Sequence, residues 1–169
     1  IMGTVPAGSA IKRSGASVGD DLYVTGTLGD AAQGLALSRK GEADGYLVSR
    51  YQFPVARIAA GRRLRGLANS LIDISDGLVA EIGHLAETDS LGAEIAACQL
   101  PLSKELVKSA GEDIAINMAL FSGDDYELCF TADPADSGEI KAVSDSIDVP
   151  MTRIGVVTDG GEIVIRDSK

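Results

Sequence analysis

The stretch Leu71-Ile72-Asp73-Ile74-Ser75-Asp76-Gly77-Leu78 (LIDISDGL) decides how the whole chain is read. Leu71 to Ile74 is a short apolar run interrupted by one carboxylate, and Ser75-Asp76-Gly77 is turn chemistry. From Leu78 to about Thr88, the apolar residues Leu78, Ile82 and Leu85 fall on one helical stripe, with His84, beside Glu81 and Glu87, left for solvent. Strand, turn and helix are therefore predicted, with two carboxylates and a hydroxyl gathered where the strand ends. Ligands of layered α/β sheets collect at such ends.

The same unit recurs outward from it. Asp21 to Thr25 (DLYVT) is β-prone, Gly26-Thr27-Leu28-Gly29 is a tight turn, and Asp30 to about Arg39 has a helical pattern. Gly41 to Phe53 is mixed. Beyond Pro54, Val55 to Ala68 predicts a second amphipathic helix that buries Ile58, Leu64 and Leu67. Gly92 to Ala97 reads as a strand. Ser103 to Ser109 and Asp113 to Phe121 read as short helices divided at Ala110-Gly111. Tyr126 to Ala132 (YELCFTA) is a strand and Ala135 to Ser146 a helix. Met151 to Val157 and Glu162 to Arg166 are predicted as an antiparallel hairpin around Asp159-Gly160-Gly161. Strands that alternate with helices predict an α/β domain with a mixed sheet. The 169 residues, 45% hydrophobic, suit one core, so residues 1–169 are expected to form a single domain. Because the chain opens on Ile1 and a run of loop residues, it is expected to be part of a longer polypeptide.

Fifteen basic residues against twenty-five acidic ones give a net charge of −10, the wrong sign for a nucleic-acid partner. An acidic chain can bind phosphorylated small molecules once its carboxylates have collected divalent cations. Cys98 and Cys129 have no CxxC companion and His84 is the sole histidine, so no zinc set is expected. Both thiols are expected to be buried. No stretch has the apolar length of a membrane span and no signal peptide is read, so the expectation is a soluble, cytoplasmic protein without a membrane partner.

Within LIDISDGL, the hard oxygens of Asp73 and Asp76 suit Mg²⁺, and the following helix offers free N–H groups to an anion. The competing reading makes Asp76 or Ser75 a helix cap and Asp73 a local backbone partner; spacing alone favours it. The second constellation is Ser122-Gly123-Asp124-Asp125-Tyr126-Glu127, three carboxylates on a loop before YELCFTA. It is either a solvated acidic turn or a contact surface for a cationic or hydroxyl-bearing substrate, and spacing does not select which acid serves. Arg13 could donate to a phosphate, whereas Arg57, Arg62, Arg63 and Arg65 read as the solvated face of their helix. The Gly26 to Gly29 turn lacks the ending of a phosphate loop. With no histidine base for a serine or cysteine, no catalytic acid, base or nucleophile is singled out.

Taken together, Val5 to Leu35, Leu67 to Glu87, Leu100 to Ser103 and Phe121 to Ala132 resemble thiamine-monophosphate kinases in order and spacing, IDISDGL with GDDYELCFT being the most specific pairing. The wider superfamily includes aminoimidazole-ribonucleotide synthetase, selenophosphate synthetase and a hydrogenase-maturation enzyme, and it resembles these strings less closely. The resemblance implies a three-layer α/β/α C-terminal domain. It also implies a separate N-terminal domain that binds ATP and magnesium and forms a homodimer, and that domain is not in this chain. The implied reaction is ATP-dependent phosphorylation of thiamine monophosphate to thiamine diphosphate by in-line transfer. By the same resemblance Asp73 and Asp76 are Mg²⁺ ligands, Ser75 and Arg13 contact the nucleotide, and Asp124 stands where the family has a substrate-contacting glutamate. The family's aromatic-bearing tail has no match before Lys169, and the chain alone is expected to be inactive. The alternatives are another superfamily member's C-terminal domain, or a non-catalytic α/β module.

Overall fold

The computed structural model describes residues 4–43, 45–87 and 90–167. In chain order its elements are β1 (Asp21–Thr25), α1 (Asp30–Arg39), α2 (Tyr46–Gln52), α3 (Ile58–Arg63), β2 (Ala68–Asp73), α4 (Leu78–Glu87), β3 (Leu91–Ala96), α5 (Lys104–Ala110), α6 (Glu112–Phe121), β4 (Leu128–Ala132), α7 (Ser137–Ile147), β5 (Met151–Asp159) and β6 (Ile163–Arg166). The strands form one mixed sheet in the order β2-β4-β1-β5-β3-β6, antiparallel throughout except for the parallel pair β3 and β6.

Side-chain alternation along the central strands explains the layers. In β1, Leu22 and Val24 enter a cluster with Ile82 and Leu85 of α4 and Ala119 of α6, while Tyr23 enters another with Leu64 and Ile140 of α7. β4 divides likewise: Cys129 joins the first cluster, and Phe130 and Ala132 join the second. Tyr23 and Phe130 stack across the β1–β4 register with ring centroids 5.2 Å apart. Helices therefore cover both faces, giving α/β/α layering. A fully buried leucine or isoleucine contributes about 1.5–3 kcal/mol here, which makes the two clusters the main source of cohesion.

Four expectations are corrected. The C-terminal hairpin does not form. Both edges of β5 are already taken by β1 and β3, so β6 crosses over to pair with the far edge of β3. The helix expected over Val55 to Ala68 shrinks to α3; Leu64 is buried as expected, but Ile58 is 70% exposed. Arg57, expected to be solvated, is drawn inward by Glu127, the acid just ahead of β4. Cys129 is buried but Cys98, in a single helical turn after β3, is exposed. The mixed stretch Gly41 to Phe53 contains α2, and the expected end of α4 at Thr88 lies outside the described residues. Among the described residues, no helix is long and apolar enough to cross a membrane.

Candidate functional site

The carboxyl ends of β1 and β2 and the start of β4 meet at one edge, because β1 and β2 both run antiparallel to β4. The two acidic segments are joined there by backbone. Ile74 N–H donates to the Glu127 carbonyl at 2.8 Å, Tyr126 N–H to the Ile74 carbonyl at 2.9 Å, and Asp124 N–H to the Ser75 carbonyl at 3.0 Å. Gly123 makes this approach possible, since a Cβ there would lie 2.0 Å from the Ser75 carbonyl oxygen.

Along Asp124 to Glu127, alternate residues face opposite ways. Asp124 and Tyr126 adopt left-handed backbone (φ 68° and 52°) and are exposed, whereas Asp125 and Glu127 are buried. Asp125 accepts hydrogen bonds from Gly29 N–H (2.7 Å) and Ala31 N–H (3.2 Å), capping the start of α1. Burial pushes its carboxyl up to about 7, against the opposing pull of those two amides. Glu127 accepts from Thr25 Oγ1 (2.6 Å), from Arg50 Nη2 (2.9 Å), and from Arg57 through Nε and Nη2 (both 2.6 Å). Its carboxylate lies against Gly26, where φ is 60° and a Cβ would come within 2.3 Å of Oε1. Asp30 extends the buried network, accepting from Ser103 Oγ, Thr27 Oγ1 and Tyr46 OH, with Arg50 Nε at 3.6 Å.

Of the three acids that spacing could not rank, two are therefore consumed inside the fold. Asp124 is the one presented outward.

The LIDISDGL segment is sorted in the same way. Asp73 closes β2 and Asp76 sits in the turn; both are exposed, and among the described residues neither carboxylate has a cation or hydrogen-bond partner. The turn is held instead by Glu81, a buried carboxylate of α4. Its Oε1 accepts from Asp76 N–H (3.1 Å), Ser75 Oγ (3.1 Å) and Ser75 N–H (3.4 Å). Ser75 thus donates its hydroxyl hydrogen, and Glu81 ties down the turn ahead of α4, while among the described residues neither the Ser75 nor the Asp76 side chain accepts from the first-turn amides of that helix.

Asp73, Asp76 and Asp124 come together around Tyr126. Its hydroxyl donates to Asp124 Oδ1 at 3.3 Å, and the charge of Asp124, with smaller contributions from Asp73 and Asp76, holds the phenol above its ordinary value. The two predicted metal ligands and the predicted substrate contact thus lie on one exposed edge that no cation among the described residues neutralises. Beside them a groove of about 330 Å³ runs between α3 and the strands, floored by Leu71 and Leu128 and opening at Asp73 and Tyr126. Magnesium suits such a donor set, because it takes one or two carboxylates and completes its shell with water and phosphate oxygens. Among the described residues no three ligating side chains are close enough to enclose a metal on their own.

The backbone of Arg13 lies back along β2 from this edge. Leu71 N–H donates to the Lys12 carbonyl (2.9 Å) and Gly15 approaches the Asn69 carbonyl, so the segment runs antiparallel along β2. Arg13 is exposed beside the middle of that strand, about 7–10 Å back from Asp73 at strand spacing.

Sequence reasoning missed Glu81, Glu127, Arg50 and Arg57 as organising residues. For Glu81 a signal was present: it lies three residues after Leu78 and four before Leu85, on the buried stripe and not on the solvent side with His84.

Residues 17–168 match the family described as AIR synthase related protein, C-terminal domain. The chain is 43% identical to thiamine-monophosphate kinase of Escherichia coli K12, over 100% of this chain and 54% of that protein. It superposes on the crystal structure of thiamine-monophosphate kinase from Stenotrophomonas maltophilia K279a with a TM-score of 0.91 and 39% identity, covering 97% of this chain and 55% of the other. A solved structure of AaThiL complexed with AMPPCP and TMP is similar at a TM-score of 0.78 and 35% identity, over 94% of this chain and 52% of that one. The chain spans about half the length of the curated relatives it matches.

Proposed function

Because the chain belongs to the family of AIR synthase related proteins, as their C-terminal domain, we propose that it is the C-terminal half of a thiamine-monophosphate kinase. The observation that carries this reading is the exposed pair Asp73 and Asp76 at the end of β2, whose carboxylates have no partner among the described residues while the turn amides are already held by Glu81. In this reading residues 1–169 form one domain of a longer two-domain cytoplasmic enzyme. The other domain supplies the remaining metal and ATP contacts and the homodimer interface.

The division of labour in this reading is the one that the resemblance to thiamine-monophosphate kinases implies. Asp73 and Asp76 would hold Mg²⁺, and the bound ion would neutralise charge on the transferring phosphoryl group. Ser75, in the same turn, and Arg13, alongside β2, are assigned to the nucleotide. Asp124 is assigned to thiamine monophosphate; it stands across the joined backbone from Ser75 and is held outward by the anchoring of Asp125 and Glu127. No side chain at the edge is needed as a proton shuttle, because in-line phosphoryl transfer depends on positioning and charge stabilisation. The AMPPCP and TMP bound by AaThiL support ATP and thiamine monophosphate as the ligands.

The test is the full-length polypeptide assayed with ATP, Mg²⁺ and thiamine monophosphate. Asp73→Asn and Asp76→Asn should each lower kcat/KM about 100-fold, roughly 2.7 kcal/mol of lost transition-state stabilisation. Unfolding stability should change by no more than about 0.5 kcal/mol, since both side chains are exposed. Near-normal turnover in both variants would overturn the reading, as would thiamine diphosphate formation by residues 1–169 alone.

A further inference from the structure

We infer that Glu81 is a positioning residue for the metal edge: from inside α4 its carboxylate fixes the Ser75-Asp76 turn and so sets the direction in which Asp76 presents its oxygens. The inference rests on the magnesium reading of Asp73 and Asp76, and it goes beyond that reading by assigning a role to a buried side chain that touches neither metal nor nucleotide.

Three donors from two consecutive residues converge on one oxygen. Asp76 N–H and Ser75 Oγ reach Glu81 Oε1 at 3.1 Å and Ser75 N–H reaches it at 3.4 Å, while the residue is only 2% exposed. An ordinary capping box ties a carboxylate to the cap residue itself. Here the carboxylate reaches further back, to the residues that precede Gly77, and one of those amides belongs to the predicted ligand. The far side of the turn is fixed too, because the Ser75 carbonyl accepts from Asp124 N–H at 3.0 Å. Asp76 is thus held from both sides by groups that leave its own carboxylate untouched. A buried acid orienting the backbone of a ligand acts as outer partners of metal sites do, and loss of such a partner typically lowers metal affinity about 10–100-fold.

Two substitutions separate positioning from charge and from folding. Glu81→Gln keeps an acceptor oxygen at the same reach, whereas Glu81→Met keeps only the shape of the side chain. The full-length protein is titrated with Mn²⁺ alone, as a paramagnetic stand-in for Mg²⁺, and free metal is read by electron paramagnetic resonance while thermal unfolding is followed in parallel. Glu81→Met should weaken Mn²⁺ binding about 10-fold or more, and Glu81→Gln should recover most of that loss. The deficit of Glu81→Met should persist at about 0.5 M salt, where a through-space effect of the missing charge would be screened.

Wild-type Mn²⁺ affinity in Glu81→Met would overturn the inference. So would equal losses in both variants that vanish in high salt. If Glu81→Met does not fold, Glu81→Gln decides: a loss of 10-fold or more despite the retained acceptor refutes positioning, and near-wild-type affinity supports it. Asp76→Asn is the control that keeps the two ideas apart. If it leaves Mn²⁺ binding unchanged the metal reading itself fails, whereas a loss in Asp76→Asn with none in Glu81→Met sinks only the role of Glu81.

Discussion

Replacing Glu127 with glutamine tests whether the buried anchor of the acidic loop is what holds that loop in place. The wild-type side chain has no exposed surface and accepts four hydrogen bonds, three from the guanidinium groups of Arg50 and Arg57 and one from Thr25. Those arginine side chains are themselves only 11% and 18% exposed, so water cannot replace the lost charge at either one. Glutamine keeps one acceptor oxygen, but it turns an NH₂ group toward a donor and leaves two positive charges beside a neutral group. Removing one partner of a buried pair costs about 3–5 kcal/mol, and the residual exposure of the arginines places this case near the lower end. For a chain of 169 residues, each kcal/mol shifts Tm by about 2–4 °C, so a fall of about 6–12 °C is expected. Differential scanning fluorimetry and urea unfolding measure it. Adding Arg57→Met to Glu127→Gln should recover at least about 1 kcal/mol, because the second change removes the stranded charge. A single variant within about 2 °C of wild type, or a double variant with strictly additive losses, would refute the argument that this pair is a desolvated unit.

Two further outcomes follow from the same loops. Gly123→Ala should destabilise the chain by about 3 kcal/mol in urea unfolding, the upper end for overpacking, because its Cβ would sit 2.0 Å from the Ser75 carbonyl oxygen and force the joined backbones apart. For Asp125, burial raises the native value from 3.8 to about 7, so between those limits the native state holds a proton that the unfolded chain has released. Stability should therefore fall as pH rises through that window, by at most about 4 kcal/mol in total, and Asp125→Asn should flatten the slope between pH 4 and 7.

The fold was legible where periodicity was strong. DLYVT, LIDI and YELCFTA alternate or run apolar as sheet strands do, and the stripe Leu78, Ile82, Leu85 predicted α4 and its buried face. Strand pairing was not legible. β6 follows β5 through a two-glycine turn that reads as a hairpin, and only the occupation of both β5 edges by distant strands sends it to β3. Arg57 was misread for a similar reason: its partner Glu127 lies seventy positions away, and local pattern shows a helix flank where the fold makes a buried ion pair. At the candidate site, sequence located both acidic segments and named Asp73, Asp76 and Asp124. Asp124 was singled out there by resemblance alone; spacing could not separate it from Asp125 and Glu127, because inward or outward direction depends on two left-handed backbone positions that no composition rule marks.

That separation explains how an acidic edge can exist in a stable domain. Asp124 and Tyr126 stand in backbone conformations that cost about 1–3 kcal/mol each, and three like charges share the exposed edge around the phenol. Neither feature persists unless the neighbours over-determine it. Asp125 fixes the loop to the start of α1, Glu127 fixes it to Arg50 and Arg57, and Glu81 fixes the facing turn from within α4. Each buried acid has its own donors, so none relaxes toward the edge to neutralise or dilute it. The positive charges of Arg50 and Arg57 are engaged below the surface and leave Asp73, Asp76 and Asp124 without a cation among the described residues. The same side-chain chemistry thus performs two tasks divided by burial: inward acids define the geometry, and outward acids hold an unsatisfied negative charge that a divalent cation, or a substrate bearing positive charge, would satisfy.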